Sequence, residues 1–247
     1  MRPDVDLVLA PDPDGMPWGP RTPGDIAARA LLCARAAMGY EPDVLVMACN
    51  TGSVHALDRL RAEFEPKIPV IGTVPAIKPA AAAHATVAVW ATVATTASAY
   101  QRKLIADFGG SAEVTPVACP GLADAVDAGD EEATAAAVEL AAARTPSGCA
   151  AVVLGCTEYE LAADRISAAL PGAVLYGSAS AVAAQALRRL AGELDRSGSR
   201  DDAGQRGAVR VLLSGRPAGL PAAALRYQEG RLLAPLVLAD DQASIAG

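Results

Sequence analysis

The chain has 247 residues, a net charge of −7 and a pI near 4.9. It is long enough for one large domain or, as the better starting expectation, two medium ones, each with its own core. The acidic balance excludes an electrostatic case for nucleic acid or an anionic membrane as partner. Its longest apolar runs, such as AAVVLG, stop far short of the roughly 20 residues of a bilayer span, and no basic-then-apolar leader opens the chain, so a cytoplasmic protein is expected. Apolar runs alternate with amphipathic stretches in chain order: a strand over 6–10, a helix over 23–38, a strand over 44–48, a helix over 53–64, then strands over 69–74 and 87–91. A helix from about 97, a strand over 114–118, a helix over 131–143, a strand over 150–155, a helix from about 159, a strand over 173–177 and a helix over 180–195 follow. Residues 195–207 are polar and Gly-rich and read as a mobile loop, after which 209–215 form a last strand before a short helix and a loosely ordered tail. This rhythm predicts an α/β protein with parallel sheets and a second sheet after residue 84. The first helix carries the clearest start signal, with Thr22 as cap, Pro23 in the first turn and Asp25 three residues past the cap.

Aromatic residues make up only 4% of the chain and mean hydropathy is +0.25, so small aliphatic side chains must build the core. Five cysteines, an odd number without a CxxC pair, favour neither a disulfide framework nor a zinc site with only His55 and His84 available. Cys33, Cys119 and Cys149 read as structural, His55 as helix surface, His84 as solvated and Lys78 as an ordinary loop charge. Gly-rich phosphate loops are missing, which argues against nucleotide binding.

The other two cysteines stand apart. VLVMACNT (44–51) and AVVLGCTE (151–158) share one plan: a buried strand, a small residue, a cysteine, then polar residues that open the next helix. Ligands of open α/β sheets sit beyond the carboxyl ends of the strands, where Cys49 and Cys156 both fall. A helix N-terminus favours thiolate, so a group of reference pKa about 8.5 is expected to ionise near neutral pH. Two such thiols suit the removal of an α-proton from an amino acid: one thiolate strips it from one face while the opposite thiol protonates the other. That chemistry requires neither a metal nor pyridoxal phosphate, and no cofactor is expected.

The segments ACNT, IPVIGTVPAIKPA (68–80), ACP (118–120) and LGCTEYEL (154–161) resemble glutamate racemases, within the aspartate/glutamate racemase superfamily. The resemblance covers nearly the whole chain. It implies two pseudo-symmetric parallel-sheet α/β domains facing across a cleft, 1–83 with 192–247 forming one and 84–191 the other. It further implies that Cys49 acts on D-glutamate and Cys156 on L-glutamate, that the product serves peptidoglycan, and that a homodimer is possible. Asn50, Thr51 and Thr157 match positions that hold the substrate's ammonium and carboxylates, though helix capping is an equally good reading of each. Pro17-Trp18-Gly19 matches a Pro-Tyr-Gly substrate loop, and Thr95 a further substrate contact, although capping by Thr95, Thr96 or Ser98 would look the same.

The chain departs from the family pattern at three points. Glu158 stands where glutamate racemases carry histidine, as in aspartate racemases; it could relay a proton, but as an anion it would raise the adjacent thiol's pKa. Asp127 stands where the family places an assisting glutamate. The opening Asp-Ser-Gly-x-Gly-Gly, whose aspartate assists the first cysteine, is absent. A recorded start downstream of the true one is expected, which would leave strand edges beside the lost strand unpaired. These departures keep two alternatives open: a racemase for aspartate or another acidic amino acid, and a catalytically silent binding homologue.

Overall fold

The computed structural model describes residues 4–197 and 207–238; most of the loop expected over 195–207 and the end of the tail lie outside the described residues. Strand β1 (Leu7–Leu9) leads through a short 3-10 turn to helix α1 (Pro23–Met38), which starts as expected: Thr22 Oγ1 accepts from the Asp25 N–H at 3.2 Å and Pro23 fills the first turn. Strand β2 (Leu45–Met47) feeds α2 (Asn50–Phe64), and β3 (Val70–Gly72) feeds α3 (Ile77–Ala83). Helix α2 begins three residues earlier than expected because Cys49 itself serves as its N-cap. Helix α3, unexpected from the sequence, is short and carries Pro79 in its first turn, where proline is tolerated.

The second sheet is present. Strands β4 (Thr86–Ala91), β5 (Glu113–Ala118), β6 (Ala151–Leu154) and β7 (Val174–Tyr176) pair in the order β5-β4-β6-β7, all parallel. Residues 87–91 and 151–154 are almost wholly buried on both faces, which accounts for their unbroken apolar character, while β5 and β7 form the edges. Helices α4 (Val93–Ala97) and α5 (Ala99–Phe108) lie between β4 and β5, and α6 (Leu122–Ala128) and α7 (Glu131–Arg144) between β5 and β6. Gly121, at φ +74°, supplies the left-handed turn that lets α6 start directly after Cys119-Pro120. A 3-10 turn (Thr157–Ala162) precedes α8 (Ala163–Ala169), so the helix expected from about 159 is in part a tighter coil.

From β4 the chain moves to β5 on one side and then crosses to β6 on the other, so the strand order reverses between β4 and β6. The carboxyl ends of those two strands border the crevice where such sheets place ligands.

After α9 (Ala179–Ser197), β8 (Val209–Leu213) pairs parallel with β1 and antiparallel with β9 (Arg216–Ala218). Among the described residues β1 and β2 belong to separate sheets, and each has strand partners on one side only. The closing helix α10 (Gln228–Leu233) follows a third 3-10 turn (Ala222–Arg226) that lies against α6, where Tyr227 Oη donates to the Val126 carbonyl at 2.6 Å. No described helix is long and apolar enough to cross a membrane.

His84 is not simply solvated: its Nε2 lies 3.0 Å from Tyr176 Oη and the two rings meet edge to face. His55 is exposed on α2, as expected.

Candidate active site

Cys49 and Cys156 each end a strand, and the two turns are bonded to one another. The residue after the first cysteine, Asn50, donates through Nδ2 to the carbonyl of Gly155, the residue before the second, at 2.8 Å. The residue after the second cysteine, Thr157, donates through Oγ1 to the carbonyl of Ala48, the residue before the first, at 3.1 Å. Reciprocal bonds over 105 and 109 positions hold the two thiol-bearing turns together, and neither Asn50 nor Thr157 caps its own helix. Asn50 is buried, and its Oδ1 lacks a partner among the described residues.

Each thiol is half-buried against a different core. Cys49 lies on the cluster of Trp18, Ile26, Leu60 and Val70, and Cys156 on the cluster of Trp90, Leu122, Tyr159 and Ile166. The small residue before each cysteine has a steric reason in the second turn. Gly155 donates its N–H to the Trp90 carbonyl at 2.7 Å, and a Cβ there would sit 2.6 Å from that same oxygen. Gly155→Ala must therefore displace the Cys156 turn from the end of β4, with an expected loss of about 1–3 kcal/mol in urea unfolding.

The expectation of ready ionisation near neutrality is corrected. Burial is the largest influence on both sulfurs and pushes both thiols up. At Cys49 the Gly52 N–H, 3.4 Å from Sγ, and Thr51 pull the other way as a helix start should, but they do not outweigh burial and the nearby Glu158 carboxylate. Cys156 opens a 3-10 turn rather than an α-helix, and it donates to Glu158 Oε2 at 3.2 Å. Glu158 raises the Cys156 thiol further, in the direction its charge predicts, and the charge of Cys49 adds to it. The two sulfurs and one carboxylate thus form a single interacting group.

Glu158 is itself pushed up, first by burial and then by the negative charges of Asp127 and Asp124, against the opposing Cys156 hydrogen bond. Asp127 and Asp124 are exposed on α6, one turn apart, and α6 packs on the 157–162 turn that carries Glu158. Asp124 was not singled out in the sequence; its spacing from Asp127, three along one helix face, was the available signal.

Of the expected substrate loop, Pro17 and Gly19 are exposed and Trp18 is buried. A Cβ on Gly52 would meet Trp18 Cζ3 at 3.1 Å, so the ring lies over the first turn of α2; one on Gly19 would meet Ala94 Cβ at 3.6 Å, so the loop also reaches α4. Thr95 lies half-buried on α4, beyond the carboxyl end of β4. It does not cap that helix. Thr92 does, accepting from the Thr95 N–H at 3.2 Å and donating to Thr95 Oγ1 at 3.0 Å, while Ser98 caps α5. Thr51, half-buried, faces the Cys49 sulfur. Among the described residues, no group of three or more His, Cys, Asp or Glu side chains is arranged to hold a metal ion.

Comparison with known proteins gives the chain's family. The family described as Asp/Glu/Hydantoin racemase matches residues 1–186. A glutamate racemase of Herpetosiphon aurantiacus is 35% identical over 197 residues, 77% of this chain and 77% of that protein. One of Pseudomonas putida is 33% identical over 225 residues, 89% of this chain and 83% of its own. Among solved structures, Escherichia coli glutamate racemase in complex with L-glutamate and the activator UDP-MurNAc-ala superposes with a TM-score of 0.73 at 26% identity, covering 91% of this chain and 83% of that one. A matching family over three-quarters of the chain and named relatives above 30% identity establish that this chain belongs to the Asp/Glu/Hydantoin racemase family.

Proposed function

We propose that the chain interconverts L- and D-glutamate without a cofactor, by two-base proton transfer between Cys49 and Cys156, and so supplies D-glutamate for peptidoglycan in the cytoplasm. The reciprocal bonding of the two cysteine turns supports this reading, since it brings the turns that carry the two thiols together. The thiolate of one cysteine takes the α-proton. The electron pair left on carbon delocalises into the substrate carboxylate, and the opposing thiol delivers its proton to the other face. The enzyme ends the turnover with thiol and thiolate exchanged, ready for the reverse reaction.

The raised thiol pKa values suit this chemistry. A desolvated thiolate is harder to form but is a stronger base toward a weakly acidic α-proton, and an entering ammonium group offsets part of the burial cost that opposes the charge. Glu158 is the group to which Cys156 passes its proton, and Asp127, with Asp124, keeps that carboxyl ready to accept it by holding its pKa up. Pro17, Trp18, Gly19, Thr51 and Thr95 are proposed to contact substrate, and Asn50 Oδ1, buried without a donor, is the acceptor a substrate ammonium would satisfy. Thr157 has its hydroxyl hydrogen directed to Ala48, leaving its oxygen lone pairs for substrate. The domain division is proposed as 1–83 with 192–247, and 84–191.

Incubation in deuterated water with each enantiomer of glutamate and of aspartate, followed by NMR and polarimetry, tests the reading. Deuterium uptake with inversion of glutamate is expected; inversion of aspartate alone would replace the substrate, and uptake from neither would remove the function.

A further inference from the structure

The carboxylate of Asp12 is buried and joins its own loop at Trp18 to helix α1 at Arg29 and to Ser214, 202 positions away. Its Oδ2 accepts from Trp18 Nε1 at 3.0 Å and Arg29 Nε at 2.5 Å, and its Oδ1 from Arg29 Nη2 at 2.7 Å and Ser214 Oγ at 2.8 Å. Burial alone would raise this carboxyl, but the donors of Arg29, Ser214 and Trp18 outweigh it and hold it below the usual carboxylate range, so the anchor is charged throughout the neutral range. The family resemblance assigns Asp12 no part in the reaction.

The indole N–H is the only polar atom of the Trp18 side chain, and it is spent on Asp12. The opposite edge of the ring is therefore pure hydrocarbon, and its Cζ3 lies on Gly52. Met47 lies beside it: a Cβ on Gly52 would meet Met47 Cε at 2.7 Å as well as Trp18. Gly52 is packed under these two side chains, and its N–H is the donor directed at Cys49 Sγ.

We infer that Asp12 is a positioning residue: by fixing the Trp18 ring on the first turn of α2, it keeps the Gly52 N–H aimed at the Cys49 sulfur and so sets the reactivity of the first thiol. The inference rests on the racemase reading only in taking Cys49 as an acid/base group. It identifies what this chain's tryptophan contributes in place of the family's tyrosine, since the ring is anchored from behind and faces the thiol turn with an apolar edge.

Alkylation by iodoacetamide, quantified by mass spectrometry on the peptides carrying Cys49 and Cys156 across pH 7–10, tests it without substrate. In Trp18→Phe, which removes the anchored N–H together with the outer part of the bicyclic indole, the Cys49 rate at a given pH is expected to fall about fivefold relative to Cys156 in the same molecule, the effect of loosening one hydrogen bond. Asp12→Asn is expected to act in the same direction. Leu104→Ala, which weakens a separate buried cluster that holds neither cysteine nor Trp18, is the control and should leave the ratio unchanged. An unchanged or increased Cys49 ratio in Trp18→Phe overturns the inference, as does an equal fall in the control. Should Asp12→Asn fail to fold, Trp18→Phe decides alone. Because no turnover is read, a protein that proves inactive on glutamate sinks the proposed function while leaving this result interpretable.

Discussion

Replacing either cysteine by alanine is expected to lower racemisation of glutamate by about a thousandfold or more, and the two variants should fail in different ways. With one sulfur gone, inversion has no proton donor on the far face, but the remaining thiolate can still remove a proton from its own side and return one from solvent. Cys49→Ala should therefore retain slow deuterium uptake into L-glutamate with retention of configuration, and Cys156→Ala into D-glutamate. One-dimensional proton NMR of the α-position in deuterated water reads both outcomes. Near-wild-type inversion in either variant, or uptake from the same enantiomer in both, would show that the sulfurs do not serve opposite faces.

Glu158→Gln carries the second large effect, because it separates proton transfer from charge. Glu158 is the acceptor of the Cys156 thiol proton at 3.2 Å and also one of the charges that keep that thiol from ionising. Neutral glutamine cannot take the proton, so kcat is expected to fall about a hundredfold or more. Loss of the negative charge lowers the Cys156 thiol pKa, so its alkylation profile should move to lower pH even as turnover drops. An unchanged kcat would deny Glu158 its part in the reaction.

Stability should change in the opposite sense. The folded-state pKa of Glu158 lies above its unfolded value, so the folded protein binds the extra proton more tightly. The stability this contributes is fully present below the ordinary carboxylate pKa and is lost as pH rises through the raised value. At neutral pH the buried anion is therefore a net cost. Glu158→Gln is expected to melt above the wild type at pH 7, with the gap closing as pH falls toward about 4, where an ordinary carboxyl protonates. A carboxylate retained despite its cost to stability is what a working proton acceptor would look like, since catalytic groups are held in environments that shift them.

The parallel α/β class, both cysteine turns and most strands are legible in the amino-acid sequence, because these rest on local pattern. Buried parallel strands need unbroken apolar runs, as in 87–91 and 151–154, and the Thr22-Pro23-Asp25 start of α1 is a signal confined to one turn of chain. What the side chains beside each cysteine do depends on contacts made by the folded chain. Asn50 and Thr157 fit helix capping when read locally, yet each reaches across to the other turn, and no property of either segment alone encodes a bond over 105 or 109 positions. The thiol pKa values show the same division: proximity to a helix start is legible in the chain and points down, whereas burial and the Glu158 charge arise from packing and push up, and packing prevails because desolvation of a charge exceeds one partial dipole. Asp12 was lost in a loop of prolines and aspartates until Ser214, 202 positions away, and Arg29 closed on it; a buried carboxylate takes its meaning from its donors, and those are set by the fold.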